Sequence, residues 1–202
     1  MKDLPRKMES LSGLSRLEAE ARKAGSKGLP PVHLWNPPFC GDLDMRIAAD
    51  GTWFYLGTPI GRKPLVKLFA SVLRHDEDGK YYLVTPVEKI GIKVDDAPFL
   101  AVEMDVQGAG RTQSITVRTN TDDVVRIGEA HPLRFAKEDG TDGLKPYVLV
   151  RGRLEALFAR SIFYDLVALG VDEQMKGTSM FGVWSEGMFF PMQRSSELAS
   201  WR

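Results

Sequence analysis

The sequence predicts an α+β chain of two similar units, each an antiparallel sheet or curved meander packed on one amphipathic helix. Three observations carry this expectation. Short runs alternating apolar and polar residues recur along most of the chain, as half-buried strands do. Two apolar stripes at helical spacing stand out, Leu65 to Leu73 and Leu154 to Leu169. The two stripes also echo each other, Leu65-Val66-Lys67-Leu68-Phe69-Ala70 against Leu154-Glu155-Ala156-Leu157-Phe158-Ala159, with Arg62 set against Arg151.

Taken in order, residues 1–31 form a leader, partly helical or disordered, in which Leu11, Leu14, Leu17 and Ala21 follow a rough helical spacing. Leu43, Met45 and Ile47 then alternate with Asp42, Asp44 and Arg46, and Asp50-Gly51 turns the chain into a hairpin. Pro64 opens a helix where its missing N–H does no harm. Tyr81–Val84, Ile90–Val94 and Leu100–Val106 continue as a meander. Gln107-Gly108-Ala109-Gly110-Arg111 interrupts it with two glycines and no large apolar residue, which sets the expected boundary between an N-terminal unit, 32–107, and a C-terminal unit, 108–202. Strands follow at Ile115–Arg118, Val124–Ile127, Leu133–Phe135 and Tyr147–Val150, then the second helix, then a hairpin from Phe181 to Met192. An acidic-Gly-x-aromatic-aromatic turn follows each helix, Asp78-Gly79-Lys80-Tyr81-Tyr82 and Glu186-Gly187-Met188-Phe189-Phe190. Each match alone is inexpensive, and their shared order favours a structural repeat.

Composition removes several classes of function. The 27 Lys and Arg residues balance the 27 Asp and Glu, so the dense positive field that phosphate backbones require is missing, and no nucleic-acid partner is expected. The single cysteine, Cys40, excludes an intrachain disulfide framework. The first 28 residues lack the apolar core of a signal peptide, and no apolar run reaches the roughly 20 residues of a membrane span. A cytoplasmic protein is the expectation.

The chemical candidates are few. Asp42 and Asp44, spaced i, i+2 on one strand face with Arg46, suit a divalent cation or a sugar-nucleotide pyrophosphate held through that cation; a solvated strand face has the same pattern, as does Arg46 bridging the two aspartates. Gly57 to Pro64 leads into a helix N-terminus with Arg62 and Lys63 beside it, which favours an anion, although the order of a phosphate loop is missing. Arg151-Gly152-Arg153 repeats that arrangement before the expected second helix. Cys40 has no histidine at a recognisable spacing and reads as an unreactive thiol; His33, His75 and His131 are scattered, so no metal site is expected. Trp53, Tyr81, Tyr82, Trp184 and their aromatic neighbours read as core, with their polar tips suited to the lip of a cleft.

Gly41-Asp42-Leu43-Asp44-Met45-Arg46-Ile47, Asp50-Gly51-Thr52-Trp53, Pro59-Ile60-Gly61-Arg62, Tyr82 to Lys89 and Asp96-Ala97-Pro98-Phe99 together resemble the bacterial DUF1285 family. The resemblance continues through Arg118-Thr119-Asn120, His131-Pro132-Leu133 and Tyr147 to Arg151 as far as Gly182-Val183-Trp184. It implies a two-unit α+β chain with repeated motifs and a role in ligand binding or signalling. It supplies no catalytic residues.

The expected function is therefore a cytoplasmic binding or regulatory protein, in signal transduction, holding a small anionic ligand or a protein partner near the junction of two repeated units, with self-association compatible. The ligand-binding residues on this reading are Asp42, Asp44, Arg46, Trp53, Arg62, Lys63, Lys89 and Arg151; no catalytic residue, metal ligand or named cofactor is assigned. The alternative is an enzyme acting on a small anionic or sugar-containing substrate, with Asp42 and Asp44, joined by Glu88, as acid, base or metal ligands.

Overall fold

Alternation decides the strands of the first unit, and their pairing decides its sheet. The computed structural model describes residues 4–25, 28–138, 140–141 and 143–198; leader residues 1–3 and 26–27, and the side chain of Leu11, lie outside them. The chain divides into two compact units, Met1–Asp95 and Asp96–Arg202. In the first, helix α1 (Leu4–Ala24) precedes β1 (Phe39–Ile47), β2 (Trp53–Tyr55) and β3 (Thr58–Pro59). Helix α2 (Lys63–Ser71) leads into β4 (Leu73–His75), β5 (Tyr81–Val84) and β6 (Lys89–Val94). The sheet order is β3-β2-β1-β6-β5-β4. All neighbours pair antiparallel except β1 and β6, which run parallel in the centre.

The second unit opens with β7 (Phe99–Gln107), β8 (Ser114–Thr119) and β9 (Val124–Arg126), followed by β10 (Leu133–Lys137), β11 (Leu144–Arg151) and β12 (Leu154–Phe158). Its sheet order is β10-β11-β12-β7-β8-β9, again antiparallel except for one central parallel pair, β7 and β12. Each unit is thus two three-stranded meanders joined through its first and last strands. Helix α3 (Arg160–Ala168) then leads to a three-stranded sheet of β13 (Val171–Met175), β14 (Thr178–Ser185) and β15 (Met188–Arg194), and to the short α4 (Ser195–Leu198).

A repeat exists, but not in the expected frame. Leu154–Phe158, expected as helix, is strand β12, with Leu154, Ala156 and Phe158 buried. Leu154, Leu157 and Phe158 satisfy a helical period and Leu154, Ala156 and Phe158 a period of two, so pairing with β11 and β7 settles the conformation. Extended Ala159 (φ −60°, ψ 144°) ends the strand, and the helix starts at Arg160. The helix α2 lies between β3 and β4, whereas α3 follows β12, so the two helices are not counterparts. The turn at Glu186-Gly187 belongs to β14–β15, outside the six-stranded plan. The division also falls after Asp95 rather than after Gln107, because Phe99–Gln107 pairs with β8 and β12 of the second sheet.

The first core gathers Met45, Ile47, Trp53, Leu65, Phe69, Leu73 and Leu83; the second gathers Phe99, Ile115, Ile127, Val148, Ala156 and Leu166. The leader helix docks on its own unit, burying Leu17 and Ala21 beside α2. Its Arg16 reaches the Glu88 carboxylate at 2.5 Å. Among the described residues, no helix is long and apolar enough to cross a membrane.

Candidate functional site

The face of the first sheet opposite its core carries the densest polar network of that unit. Arg74 on β4 stands opposite Tyr82 on β5, and Tyr82 stands opposite Gly91 on β6. Gly91 in turn stands opposite Asp42 on β1. Arg74 grips Asp76 with two hydrogen bonds, 2.5 and 3.0 Å, and donates to the carbonyls of Val32 and Trp35, which pins residues 32–35 in place. Lys89 lies 4.5 Å from the centre of the Tyr82 ring and 3.4 Å from Asp76. The Tyr82 hydroxyl donates to Asp78 at 2.6 Å, and Phe39 meets the Tyr82 ring edge-on at 6.1 Å.

Gly91 gives this face its shape. A Cβ there would stand 2.0 Å from Asp42 Oδ1 and 3.7 Å from Phe39 Cε2, so the missing side chain leaves the notch in which the Asp42 carboxylate sits. Phe39 beside it is 55% exposed.

The second unit builds a parallel cluster on the matching strands. Arg134 on β10 opposes Tyr147 on β11, stacks over its ring at 4.2 Å and grips Glu155 at 2.6 and 2.5 Å. The Tyr147 hydroxyl donates to Asp96 at 2.7 Å, and Lys145 pairs with the same carboxylate at 2.9 Å. In both units an Arg faces a Tyr across paired strands, a cation covers the ring, and an aspartate accepts the hydrogen bond of the hydroxyl.

Pairing and burial hold Asp76 and Asp78 low and Tyr82 and Tyr147 high. Burial alone would raise Asp76, but Arg74 and Lys89 outweigh it and hold the carboxyl below its usual range. The hydrogen bond from Tyr82, with that from the Lys80 N–H, lowers Asp78. Tyr82 is pushed up to about 12, chiefly by its bond to Asp78, and Tyr147 is pushed up by burial and then by Asp96. A carboxylate with a depressed folded pKa contributes stability above its unfolded value, near 3.8 for Asp76 and Asp78, which is lost as pH falls through the folded value. Tyr82, raised from 10.0 to about 12, contributes stability present below pH 10 and lost as pH climbs through 12. Urea titrations across pH should therefore show a plateau bounded by these two losses, and Tyr82→Phe should lower the plateau by about 1 kcal/mol and blunt the alkaline fall. An unchanged alkaline limb would separate the Tyr82 hydroxyl from it.

Of the eight residues expected from sequence, seven lie in the first unit, where they are spread over the polar sheet face, the core and the start of α2. Asp42 and Lys89 share the polar face of the first sheet. Asp44 is exposed on the same strand. Arg46 does not bridge the two aspartates: it bonds Asp95 at 2.5 Å and rests on the Phe54 ring at 4.7 Å. Trp53 is no lip residue, since it is 1% exposed in the core and its indole N–H is buried without a partner. Arg62 and Lys63 are exposed at the start of α2. The Leu65 and Val66 N–H groups already bond the Arg62 carbonyl and Pro64 has none, which leaves an anion little to grip there. Arg151 ends strand β11 rather than preceding a helix, is ion-paired with Asp123 and lies over Phe99 at 4.7 Å. Burial lowers its guanidinium against the pull of Asp123. Glu88, offered as an enzymatic group, is buried beneath Arg16, with Oε1 unpartnered.

Sequence reading missed Phe39, Arg74, Asp76, Asp78, Tyr82 and Gly91 as one cluster. The signal was available: Leu73-Arg74-His75 with Tyr82-Leu83-Val84 matches Leu133-Arg134-Phe135 with Tyr147-Val148-Leu149. The Arg and Tyr lie eight positions apart in the first unit and thirteen in the second, and the longer turn hides the match.

Residues 30–97 match the family model described as "Domain of unknown function (DUF1285), N-terminal domain", and residues 98–192 that described as "Protein of unknown function (DUF1285), C-terminal domain". No curated protein matches the chain. A crystal structure of a DUF1285 family protein from Shewanella baltica OS155 is 29% identical, with a TM-score of 0.48, covering 61% of this chain and 90% of that one. A crystal structure of a DUF1285 family protein from Silicibacter pomeroyi DSS-3 is 53% identical, with a TM-score of 0.82, covering 91% of this chain and 97% of that one. With both halves of the family model matched in order and that relative alike over nearly its whole length, the chain belongs to the DUF1285 family.

Proposed function

We propose that this protein is a non-catalytic binding protein with a regulatory role in the cytoplasm, and that the polar face of its first sheet receives a basic side chain of a protein partner. The Asp42 carboxylate carries this reading. It is held in the Gly91 notch beside the exposed Phe39 ring, and it makes no hydrogen bond among the described residues. An acid next to an aromatic face suits an ammonium or guanidinium group, through charge and through the ring. Leu34 and Val87, both exposed in the same unit, add apolar surface of the kind a partner buries. The anionic-ligand reading is the weaker one, because Arg46, Lys89 and Arg151 are already paired with acids and Arg62 lies 3.8 Å from the Glu18 carboxylate.

The test uses the full chain with a photoreactive benzoylphenylalanine at position 39, irradiated in cells. A protein adduct should form, and Asp42→Asn should reduce it about tenfold, the effect of losing roughly 1.4 kcal/mol of contact. Gly91→Ala should do the same while leaving the melting temperature almost unchanged, because its new methyl crowds only the carboxylate of Asp42 and lies at ordinary contact distance from Phe39. An adduct indifferent to both substitutions, or none at all, overturns the proposal; native mass spectrometry revealing a copurified small anion would return the anionic reading.

A further inference from the structure

Edge strands invite pairing, and proteins blunt them with short length, proline, or lysine and arginine. Most edges of this molecule are so treated. β3 has two residues and ends in Pro59, β4 and β9 have three each, and β9 carries Arg126. β10 carries Arg134 and Lys137 and lies against β15, which contains Pro191. β13 is the exception: Val171-Asp172-Glu173-Gln174-Met175 runs five residues with no proline, lysine or arginine, has its two acids bonded within the chain, and pairs on one side only among the described residues. Val171 and Met175 are each 39% exposed.

We infer that β13 pairs antiparallel with β13 of a second copy of this chain, joining two three-stranded sheets into one of six strands about a twofold axis at Glu173. The sequence of β13 is self-complementary about that residue. Val171 then faces Met175 of the second copy, and Asp172 faces its Gln174, so an apolar pair and an acceptor–donor pair each occur twice. The two glutamates brought together at the axis are each neutralised within their own chain. Glu173 takes Arg111 at 2.9 and 3.0 Å and the Trp184 indole N–H at 3.1 Å, and the Arg111 guanidinium lies 4.9 Å from the Trp184 ring. Asp172 is likewise engaged, accepting from the Ser195 hydroxyl at 2.5 Å. A foreign strand would have to match this pattern by chance; a second copy matches it by symmetry. This surface lies on the three-stranded sheet, and the inference stands independently of the partner site on the first unit.

Sedimentation velocity of the full chain should show a monomer at about 1 µM and a growing dimer by about 200 µM, as expected for a small interface. Val171→Lys combined with Met175→Lys should restore the monomer at the higher concentration with the melting temperature lowered only slightly, since neither side chain belongs to the buried core. A monomer throughout, or a dimer that survives the two lysines, overturns the inference. Should the double variant fold poorly, hydrogen exchange of the unaltered chain decides. Amides 171–175 should exchange about tenfold more slowly at the higher concentration while β6 does not change, and equal rates at both concentrations overturn it.

Discussion

Phe69→Ala should cost about 3–5 kcal/mol and loosen the whole helical layer of the first unit. Phe69 is fully buried on α2, a helix of only nine residues with no side-chain cap at its N-terminus. A helix that short does not hold its shape in water unaided, so what keeps it folded is the apolar stripe of Leu65, Phe69 and Ala70. The ring is the largest of the three, and its removal leaves a cavity the neighbours fill only in part. Because α1 packs on α2, the leader helix loses part of its seat as well. Hydrogen exchange should then show amides of 63–75 opening far more readily, together with those of 14–24. Lys67→Ala on the exposed side of the same helix should change stability by about 0.5 kcal/mol or less, which separates loss of packing from loss of helix propensity. A change below about 1 kcal/mol for Phe69→Ala would mean that α2 contributes little to the first core.

Much of this fold is legible in the sequence where one period dominates. Leu43, Met45 and Ile47 alternate without ambiguity, and Met45 and Ile47 are buried as that alternation requires. Pro64 places the start of α2 within a residue, whereas the stripe runs on to Leu73, which belongs to β4. The parallel pairing of β1 with β6, and of β7 with β12, is illegible, because a strand at the start of one meander carries no mark of the strand that will lie beside it after the second. The same gap misplaced the division between units: β7 reads as one more strand of a running meander, and only its partners assign it to the second sheet. At Leu154–Phe158 two periods fit at once, and tertiary pairing chose between them. The strand β13 escaped notice for another reason, since Val-Asp-Glu-Gln-Met has no alternation to see.

The candidate site was half legible. Asp42 was visible as a charged residue on a strand face, but its setting depends on Gly91, 49 positions away, whose missing side chain only pairing brings opposite it. Arg74, Asp76 and Asp78 looked like ordinary turn chemistry, and the ion pairs that bind them to Lys89 and Tyr82 follow from three strands lying side by side. Among the cations chosen from sequence, charge alone said nothing of prior engagement. Arg46 with Asp95 and Arg151 with Asp123 were both already spoken for within their own units.

Gly182→Ala should cost about 3 kcal/mol and open the three-stranded sheet. Gly182 is buried on β14, the central strand, opposite Val171 on one side and Pro191 on the other. A Cβ there would stand 2.3 Å from the Phe190 carbonyl oxygen, 2.7 Å from Phe189 Cζ and 2.8 Å from Pro191 Cα. Two of those three atoms are backbone and cannot swing aside, so β15 must move away from β14, at the point where the ladder already shifts register. Gly91 offers the contrast, for there the added methyl meets the end of a flexible carboxylate and the sheet itself need not yield. Retreat of β15 would also disturb Trp184, which packs on Phe189 at 5.3 Å and holds Glu173 through its indole N–H. The near-ultraviolet tryptophan signal should weaken, and amides of 178–194 should lose protection. With β13 no longer held flat against β14, the concentration-dependent protection of 171–175 should vanish too, whereas Gly91→Ala should leave it intact. If Gly182→Ala melts like the parent and keeps that protection, β14 and β15 do not approach as closely as the 2.3 Å contact requires.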